Sequence, residues 1–155
     1  MTTQNANPLE VIRTLHIIAH QTDEIFDRLL RTKFNLTVSR FRILLPLIEM
    51  GPATQAEVAR FNLVTEASIG RQVRLLVEEG FIKRIPSKTD ARKLTLILSK
   101  KTEQLLPQIK AQLALEIETV YGSLSAQEFD GLSLVLGKLY TLGTAYTDES
   151  HGCSL

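Results

Sequence analysis

Cysteine, histidine and long apolar runs are scarce in this chain of 155 residues. The one cysteine, Cys153, excludes a disulfide framework and a cysteine-based zinc site. No apolar run reaches the roughly 18 residues that a membrane span needs. Residues 1–8 are polar and lack the apolar region of a signal peptide. We therefore expect a soluble protein of a reducing cytoplasm, with no membrane partner.

A catalytic constellation is also missing. The chain has three histidines, and its glycines form no phosphate-binding loop. No serine or aspartate pairs with a histidine in a recognisable catalytic motif. We predict that the protein is not an enzyme and uses no cofactor.

Net charge is almost absent from the whole chain but not from its parts. The formal net charge is +1, from 18 Lys+Arg and 17 Asp+Glu. Residues 60–101 hold ten basic and four acidic side chains, a balance of +6, whereas the remainder stands at −5. Such a basic segment is typical of a polyanion-binding surface, although basic residues also form faces that are merely solvated.

Hydrophobic periodicity indicates one mainly α-helical domain with a small β-hairpin. Apolar residues recur at the three- and four-residue spacing of a helix stripe, and Leu94, Leu96 and Leu98 alternate as in a strand. The predicted helices cover 9–30, 39–50, 54–61, 65–79, 99–121 and 125–146, and the predicted strands 81–85 and 94–98 flank a basic loop. We expect the polar, aperiodic ends, 1–7 and 147–155, to be a disordered arm and a flexible tail.

Two short central helices have the spacing of a helix-turn-helix. Thr54 and Glu57 form a capping-box pattern, and Thr65 caps the helix that follows the turn at 62–64. The apolar stripe of that second helix consists of Ile69, Val73, Leu76 and Val77. Its outward residues are Glu66, Ser68, Gly70, Arg71 and Arg74. Because this geometry inserts a helix into the major groove, it favours nucleic-acid binding over a solvated face.

Several segments between Leu36 and about Leu106 match one family pattern in order and spacing. They are Leu36-Thr37 with Phe41 and Leu44-Leu45, Thr54-Gln-Ala-Glu-Val-Ala59, Val64-Thr65-Glu-Ala-Ser68, Leu75 to Gly80 with Phe81-Ile-Lys-Arg84, and Asp90-Ala-Arg92 followed by Leu94-Thr-Leu-Ile-Leu-Ser99. Together they resemble the MarR-type (multiple antibiotic resistance regulator) winged helix-turn-helix family. The wing motif Asp90-x-Arg92 is the most specific match.

The resemblance implies a homodimeric transcription regulator, a ligand-responsive repressor that binds a pseudo-palindromic operator in double-stranded DNA. It implies a winged helix-turn-helix DNA-binding lobe at 35–99 and a helical dimerisation region at 8–34 and 100–146. Apolar stripes in the last two helices agree with dimerisation, although any core helix shows them. These stripes are Leu105, Ile109 and Leu113, and Leu132, Val135, Leu136 and Leu139.

The resemblance also implies specific DNA contacts. Thr65, Ser68, Gly70, Arg71 and Arg74 correspond to the part of the recognition helix that meets the major groove. Arg92 corresponds to the wing tip in the minor groove, oriented by Asp90 through a charge-assisted hydrogen bond. Lys88 and Lys93 would contact phosphates.

Three positions depart from the family pattern. Gly70 stands where a hydroxyl residue is usual, and Thr102 replaces a usual glycine after the wing. Pro46 is unusual in the second helix and is expected to bend it.

A small-molecule effector pocket is expected between the dimer helices and the DNA-binding lobe. The candidates for its lining are His16, His20, Phe41, Arg42 and Pro46. Most of these residues are also explained as members of the core.

His16 and His20 are four residues apart, with Asp23 and Asp27 following, a spacing that can also hold a metal ion. Two histidines without a clear third ligand favour polar residues of a dimer interface instead, so we predict no metal site. Cys153 has no fixed basic neighbour and is not expected to sense oxidants.

Two other classes of function remain open, since a fold alone does not define function. One is a protein–protein interaction module on a winged-helix scaffold, and the other is a nonspecific DNA-binding protein. A preference for one DNA sequence over random DNA distinguishes both from a transcription regulator.

Overall fold

A computed structural model of the chain describes residues 7–86 and 94–151, with side chains described as far as residue 146. Over these ranges it contains six helices and one three-stranded sheet. The helices are α1 Pro8–Phe34, α2 Val38–Glu49, α3 Gln55–Phe61, α4 Glu66–Glu78, α5 Lys100–Tyr121 and α6 Ala126–His151. The strands are β1 Ala53–Thr54, β2 Ile82–Pro86 and β3 Leu94–Leu98. The predicted fold class is confirmed.

Helix α1 begins and ends at residues that suit its termini. The Asn7 side chain accepts a hydrogen bond from Leu9 N at 3.0 Å, and Pro8 lies in the first turn, where a missing N–H breaks no helical bond. Asn35 follows the helix in the left-handed conformation, which Asn tolerates better than most residues. Leu29 and Leu30 then pack the carboxyl-terminal part of α1 into the core.

The start of α2 is held by side chains from two elements. Thr37 Oγ1 accepts from Arg40 N at 3.2 Å, and Asp27 Oδ1 of α1 accepts from Val38 N at 2.8 Å. A hydrogen bond from Arg31 lowers the pKa of Asp27 below its usual value of 3.8. A charged Asp27 therefore joins α1 to α2.

The sheet is antiparallel, in the order β1-β3-β2. Strands β2 and β3 form the predicted hairpin, with Arg84 opposite Leu96. The sequence pattern does not predict β1, because two residues are too few to show a period. Ala53 of β1 pairs with Leu96 and covers the other edge of β3.

The exit from α4 explains why β2 begins at Ile82, one residue later than predicted. Gly80 takes a left-handed φ of 76°, and Phe81 N donates to Leu76 O at 2.8 Å. This is a Schellman ending, which glycine accommodates without strain. This helix ending leaves Phe81 buried and outside strand β2.

One hydrophobic core joins α2, α3, α4 and the sheet to parts of α1 and α5. Its fully buried members include Leu30, Leu36, Leu44, Val58, Val73, Leu76, Ile82, Leu96 and Ile109. Leu105 and Leu113 of α5 pack against it. The α5 stripe proposed for dimerisation from the sequence is therefore a core stripe of this unit, since Ile109 is fully buried within the chain.

Residues from Ile117 onwards form a second compact unit, which contains the end of α5 and all of α6. Ser125 Oγ accepts from Glu128 N at 3.3 Å and Glu128 Oε2 accepts from Ser125 N at 2.8 Å, as the capping-box pattern predicts. The hydrogen bonds from Ser125 lower the pKa of Glu128.

Helix α6 reaches His151, beyond the predicted end at Tyr146, so the proposed flexible tail at 147–155 begins as helix. A helix can extend by backbone hydrogen bonds after its apolar pattern ends, so periodicity does not determine this helix end. Across 7–86 and 94–151, no helix has the length and apolar character needed to cross a membrane.

Candidate nucleic-acid interface

The first helix of the helix-turn-helix, α3, begins at the predicted capping box. Thr54 Oγ1 accepts from Glu57 N at 3.2 Å, and the Glu57 carboxylate accepts from Thr54 N at 2.7 Å. Val58 and Ala59 are buried on its inner face. Both reciprocal bonds of the box are present, so even this short helix has a defined start.

The turn between α3 and α4 is held by hydrogen bonds on both sides. Val64 N donates to Ala59 O at 3.0 Å, and the exposed Leu63 takes a left-handed φ of 53°. The Gln55 side chain, in the first turn of α3, donates to the Glu66 carbonyl at 3.2 Å. These bonds fix the start of α4 against α3.

Thr65 and Ser68 form the amino-terminal cap of α4. Thr65 Oγ1 accepts from Ser68 N at 3.2 Å, and Ser68 Oγ donates to the Thr65 carbonyl at 2.6 Å. Both side chains are exposed, and both hydroxyl oxygens can still accept a further bond. The positive end of the helix dipole lies at the same place and favours an anion such as phosphate.

The remaining outer face of α4 presents two arginines. Arg71 and Arg74 are exposed and lie one and two turns beyond Ser68, whereas Ile69 and Val73 are buried. Within the described part of the chain, neither arginine forms an ion pair. Their guanidinium groups are therefore available to base edges or phosphates.

Gly70 differs from the other predicted recognition residues because it is half-buried beside α3. A Cβ atom built there would lie 3.6 Å from Gln55 Nε2, which is an ordinary contact. The glycine is thus not required by a close approach, and a small side chain would fit.

The β-hairpin adds positive charge next to the helix-turn-helix. Every described basic side chain of the 60–101 segment is exposed: Arg60, Arg71, Arg74, Lys83, Arg84, Lys100 and Lys101. The predicted wing residues Lys88, Asp90, Arg92 and Lys93 lie outside the described residues. Their assigned contacts therefore stay predictions.

The residues predicted to line an effector pocket differ in their exposure. Phe41 and Pro46 are buried in the core, whereas His16 and His20 are exposed on α1. Arg42 Nη2 donates to Asp23 Oδ2 at 2.6 Å.

A shallow groove lies along α1 beside the start of α2. Its lining is His20, Asp23, Glu24, Asp27, Arg28 and Val38. The His20 and Glu24 side chains approach to 3.5 Å there. Among residues 7–86 and 94–151, no group of three or more His, Cys, Asp or Glu side chains is placed to hold a metal ion.

Sequence reasoning missed the residues that hold the far end of α4. Arg40 Nη1 donates to both carboxylate oxygens of Glu79 at 2.7 Å, and Lys101 Nζ donates to the Glu79 carbonyl at 3.2 Å. These residues are far apart in sequence, so no local sequence pattern predicts the contacts.

Comparison with known proteins agrees with this geometry. A sequence model of the MarR family matches residues 34–93. An uncharacterized HTH-type transcriptional regulator of Bacillus cereus is 32% identical over 98 residues, 63% of this chain and 64% of that protein. One from Bacillus anthracis gives the same figures. The matched part of the chain thus spans less than two thirds of the length of these relatives.

Solved structures share the fold over most of the chain. A cysteine-to-serine mutant of E. coli MarR complexed with operator DNA gives a TM-score of 0.74 at 21% identity, covering 84% of this chain and 93% of that chain. A MarR family transcriptional regulator from Silicibacter pomeroyi gives a TM-score of 0.77 at 23% identity, covering 94% of this chain and 100% of that chain. The transcriptional regulator BldR from Sulfolobus solfataricus gives a TM-score of 0.73 at 22% identity, covering 89% of this chain and 99% of that chain. At these identities the likeness is one of fold.

The α3–turn–α4 pair with its antiparallel hairpin makes this chain a winged helix-turn-helix protein. Residues 34–93 match the sequence model of the MarR family, which confirms the resemblance drawn from the sequence.

Proposed function

We propose that this protein is a cytoplasmic DNA-binding transcription regulator that acts as a homodimer on a pseudo-palindromic operator. The outer face of α4 carries the proposal, because Ser68, Arg71 and Arg74 are exposed together on a helix whose opposite face is buried. In the major groove, arginine binds the O6 and N7 atoms of guanine. The +6 balance of residues 60–101 supports attraction to phosphates.

The wing is proposed to contact the adjacent minor groove. Strands β2 and β3 pair in register from Ile82 opposite Leu98 to Pro86 opposite Leu94, which supports the base of the wing. Arg92 binds in the narrow minor groove, whose negative potential attracts arginine, and Asp90 orients it. Lys88 and Lys93 neutralise phosphates, and Thr65 forms a hydrogen bond to a phosphate at the start of α4.

A homodimer supplies the second recognition helix. Large apolar side chains are exposed in the amino-terminal part of α1, at Leu9, Val11, Ile12, Ile17 and Ile18. In the second unit they are exposed on α6, at Phe129, Leu132, Leu134, Val135, Leu136, Leu139, Tyr140, Leu142 and Tyr146. A monomer rarely exposes this many large apolar side chains, and a two-fold dimer would bury them.

Dimerisation is tested by light scattering at micromolar concentration. A mass of about twice that of one chain is expected, and a monomer would contradict the dimer. A dimer also implies half-sites about one DNA turn, roughly 34 Å, apart.

The regulatory mode is proposed to be repression that a small-molecule effector relieves. Contacts between α1 and α2, Asp27 with Val38 and Asp23 with Arg42, join the proposed dimer helix to the DNA-binding lobe. A ligand that favours another arrangement of these helices shifts the population away from the DNA-binding state. A reporter driven by the bound promoter should rise in expression when the gene is deleted, and a fall would indicate activation.

Selection of duplexes from a random-sequence library tests the DNA-binding proposal. The protein should enrich a pseudo-palindrome, and a gel shift should show that this site lies upstream of its own or another gene. Affinity should fall steeply as salt rises, since phosphate contacts release counterions. Binding without enrichment would indicate a nonspecific DNA-binding protein, and no binding would favour a protein–protein interaction module.

A further inference from the structure

The carboxyl-terminal end of the proposed recognition helix is acidic. Glu78 is the last residue of α4 and Glu79 follows it, and no basic residue lies in the last turn. A negative charge at a helix carboxyl terminus opposes the helix dipole, so this end needs compensation from another element.

Arg40 of α2 supplies the compensating charge. Its Nη1 donates to both Glu79 carboxylate oxygens at 2.7 Å, and its Nε donates to Gln72 Oε1 at 3.3 Å. The Arg40 side chain is 18% exposed, against 49% for Arg42 and 62% for Arg31. Of the arginine ion pairs in the described residues, this one is therefore the most enclosed.

Glu79, the cap residue that follows α4, is seven residues from Gln72, so the two residues lie on the same side of the helix and two turns apart. A single arginine that binds both resists rotation of α4 about its axis as well as displacement of its end. Arg71 is the neighbour of Gln72, so a rotation that moves Gln72 away from Arg40 also displaces the outer face of the helix.

A third element holds the same end. Lys101 of α5 donates to the Glu79 carbonyl at 3.2 Å, and its Nζ lies 4.5 Å from the centroid of the Phe81 ring. Ser99 Oγ donates to the Gly80 carbonyl at 2.7 Å. The end of α4 is thus bound to α2 through the Glu79 side chain, and to the start of α5 through the main-chain carbonyls of Glu79 and Gly80.

We propose that Arg40 is a positioning residue for sequence recognition: through Glu79 and Gln72 it holds α4 in the rotation at which Arg71 and Arg74 meet base edges, without contacting DNA. This inference rests on the proposed DNA-binding function. Bidentate bonds to bases require placement within about 0.5 Å, whereas attraction between exposed cations and phosphates tolerates displacement. Loss of the contact therefore lowers specific binding and spares nonspecific binding.

The test compares two duplexes, the site selected by the wild-type protein from a random library and a scrambled duplex of the same composition. The double variant Arg40→Gln/Glu79→Gln removes the ion pair without changing the net charge. We expect its affinity for the selected site to fall about tenfold or more, and its affinity for the scrambled duplex to stay the same. Circular dichroism and thermal melting establish that the variant is folded at the assay temperature.

Two further variants sharpen the test. The swap Arg40→Glu/Glu79→Arg should restore affinity for the selected site, because the Gln72 amide can donate to a carboxylate as well as accept from a guanidinium. Arg31→Gln breaks an ion pair within α1 and should leave the ratio of the two affinities unchanged. If the double variant does not fold, Gln72→Ala removes one contact, retains the ion pair, and should lower specific affinity about threefold.

Three outcomes overturn the proposal. Equal loss on both duplexes would mean that Arg40 binds phosphates directly. Unchanged affinity of a folded double variant, or a swap as weak as the double variant, would mean that the ion pair does not position α4. Failure of the wild-type protein to prefer any duplex is a separate result, since it removes the proposed function before any variant is compared.

Discussion

The Thr102 hydroxyl donates to the Phe81 carbonyl at 2.6 Å and so joins the first turn of α5 to the exit of α4. Thr102 is fully buried. Its own N–H donates to Ser99 Oγ at 3.2 Å, and Ser99 Oγ donates to the Gly80 carbonyl. The threonine that departs from the family pattern therefore completes a buried hydrogen-bond network between the proposed recognition helix and α5.

Thr102→Val keeps the shape of the side chain but removes this donor. We expect the free energy of unfolding to fall by about 1–2 kcal/mol, because a buried carbonyl loses a hydrogen bond. Urea denaturation measures the change. Thr14→Val is the matched control, since the Thr14 hydroxyl bonds the Glu10 carbonyl on the exposed side of α1. Equal losses in the two variants would contradict the role of the buried network.

The bond between Asp27 and Val38 predicts a pH dependence. The pKa of Asp27 is lowered in the folded state, chiefly by Arg31, so this carboxylate stabilises the protein above pH 3.8. That contribution is lost as pH falls through the lowered pKa. Asp27→Asn should cost about 0.5–1 kcal/mol of unfolding free energy at pH 7, and the difference from wild type should shrink below pH 3.8.

Asp130→Asn on α6 is a control for Asp27, since Asp130 forms no ion pair within the described residues. It should leave the unfolding free energy at pH 7 nearly unchanged. A gap between wild type and Asp27→Asn that stays constant down to acidic pH would show that the charge of Asp27 is not what stabilises α2.

Leu63 offers a stabilising substitution. It is 74% exposed with a φ of 53°, a conformation that costs a non-glycine residue about 1 kcal/mol. Leu63→Asn should therefore raise the unfolding free energy by about 0.5–1 kcal/mol, since Asn tolerates this region. Asn35 has a φ of 52°, so Asn35→Leu should have the opposite effect. Thermal melting compares both variants, and an unchanged melting temperature in each would exclude backbone strain.

Arg71 and Arg74 are predicted to carry base or phosphate contacts. Arg71→Ala and Arg74→Ala should each weaken binding to the selected site by about 1–3 kcal/mol, without lowering stability, since both side chains are exposed. Fluorescence anisotropy measures the change. Arg13→Ala, at an exposed arginine of α1 outside the basic segment, is the control. A loss in Arg13→Ala as large as in the α4 variants would mean that general charge explains binding.

Arg92 tests the wing. Arg92→Ala should weaken binding strongly and leave the fold intact, since minor-groove insertion of arginine depends on its charge and shape. Arg92→Lys should recover only part of the affinity, because lysine is a point charge without the planar fork. Binding that is unchanged in Arg92→Ala would remove the wing from the mechanism.

Local chemistry explains which parts of this molecule can be predicted from its sequence. The caps at Thr54, Thr65 and Ser125 act within three residues, and helix stripes act within one or two turns. These short-range patterns determine the order of elements, the inner face of α4 and the exposure of Arg71 and Arg74. The positions of the charged residues in the sequence likewise assign the +6 balance to residues 60–101, within and next to the winged-helix lobe.

Contacts between distant residues are decided only when the elements pack. The stripe at Leu105, Ile109 and Leu113 is equally suited to a core or a dimer, and the fold places it in the core. Strand β1 exists because β3 offers an edge, and Arg40 meets Glu79 because α2 packs against α4. Periodicity says which face of a helix is apolar, but a partner 39 residues away is chosen by the whole fold.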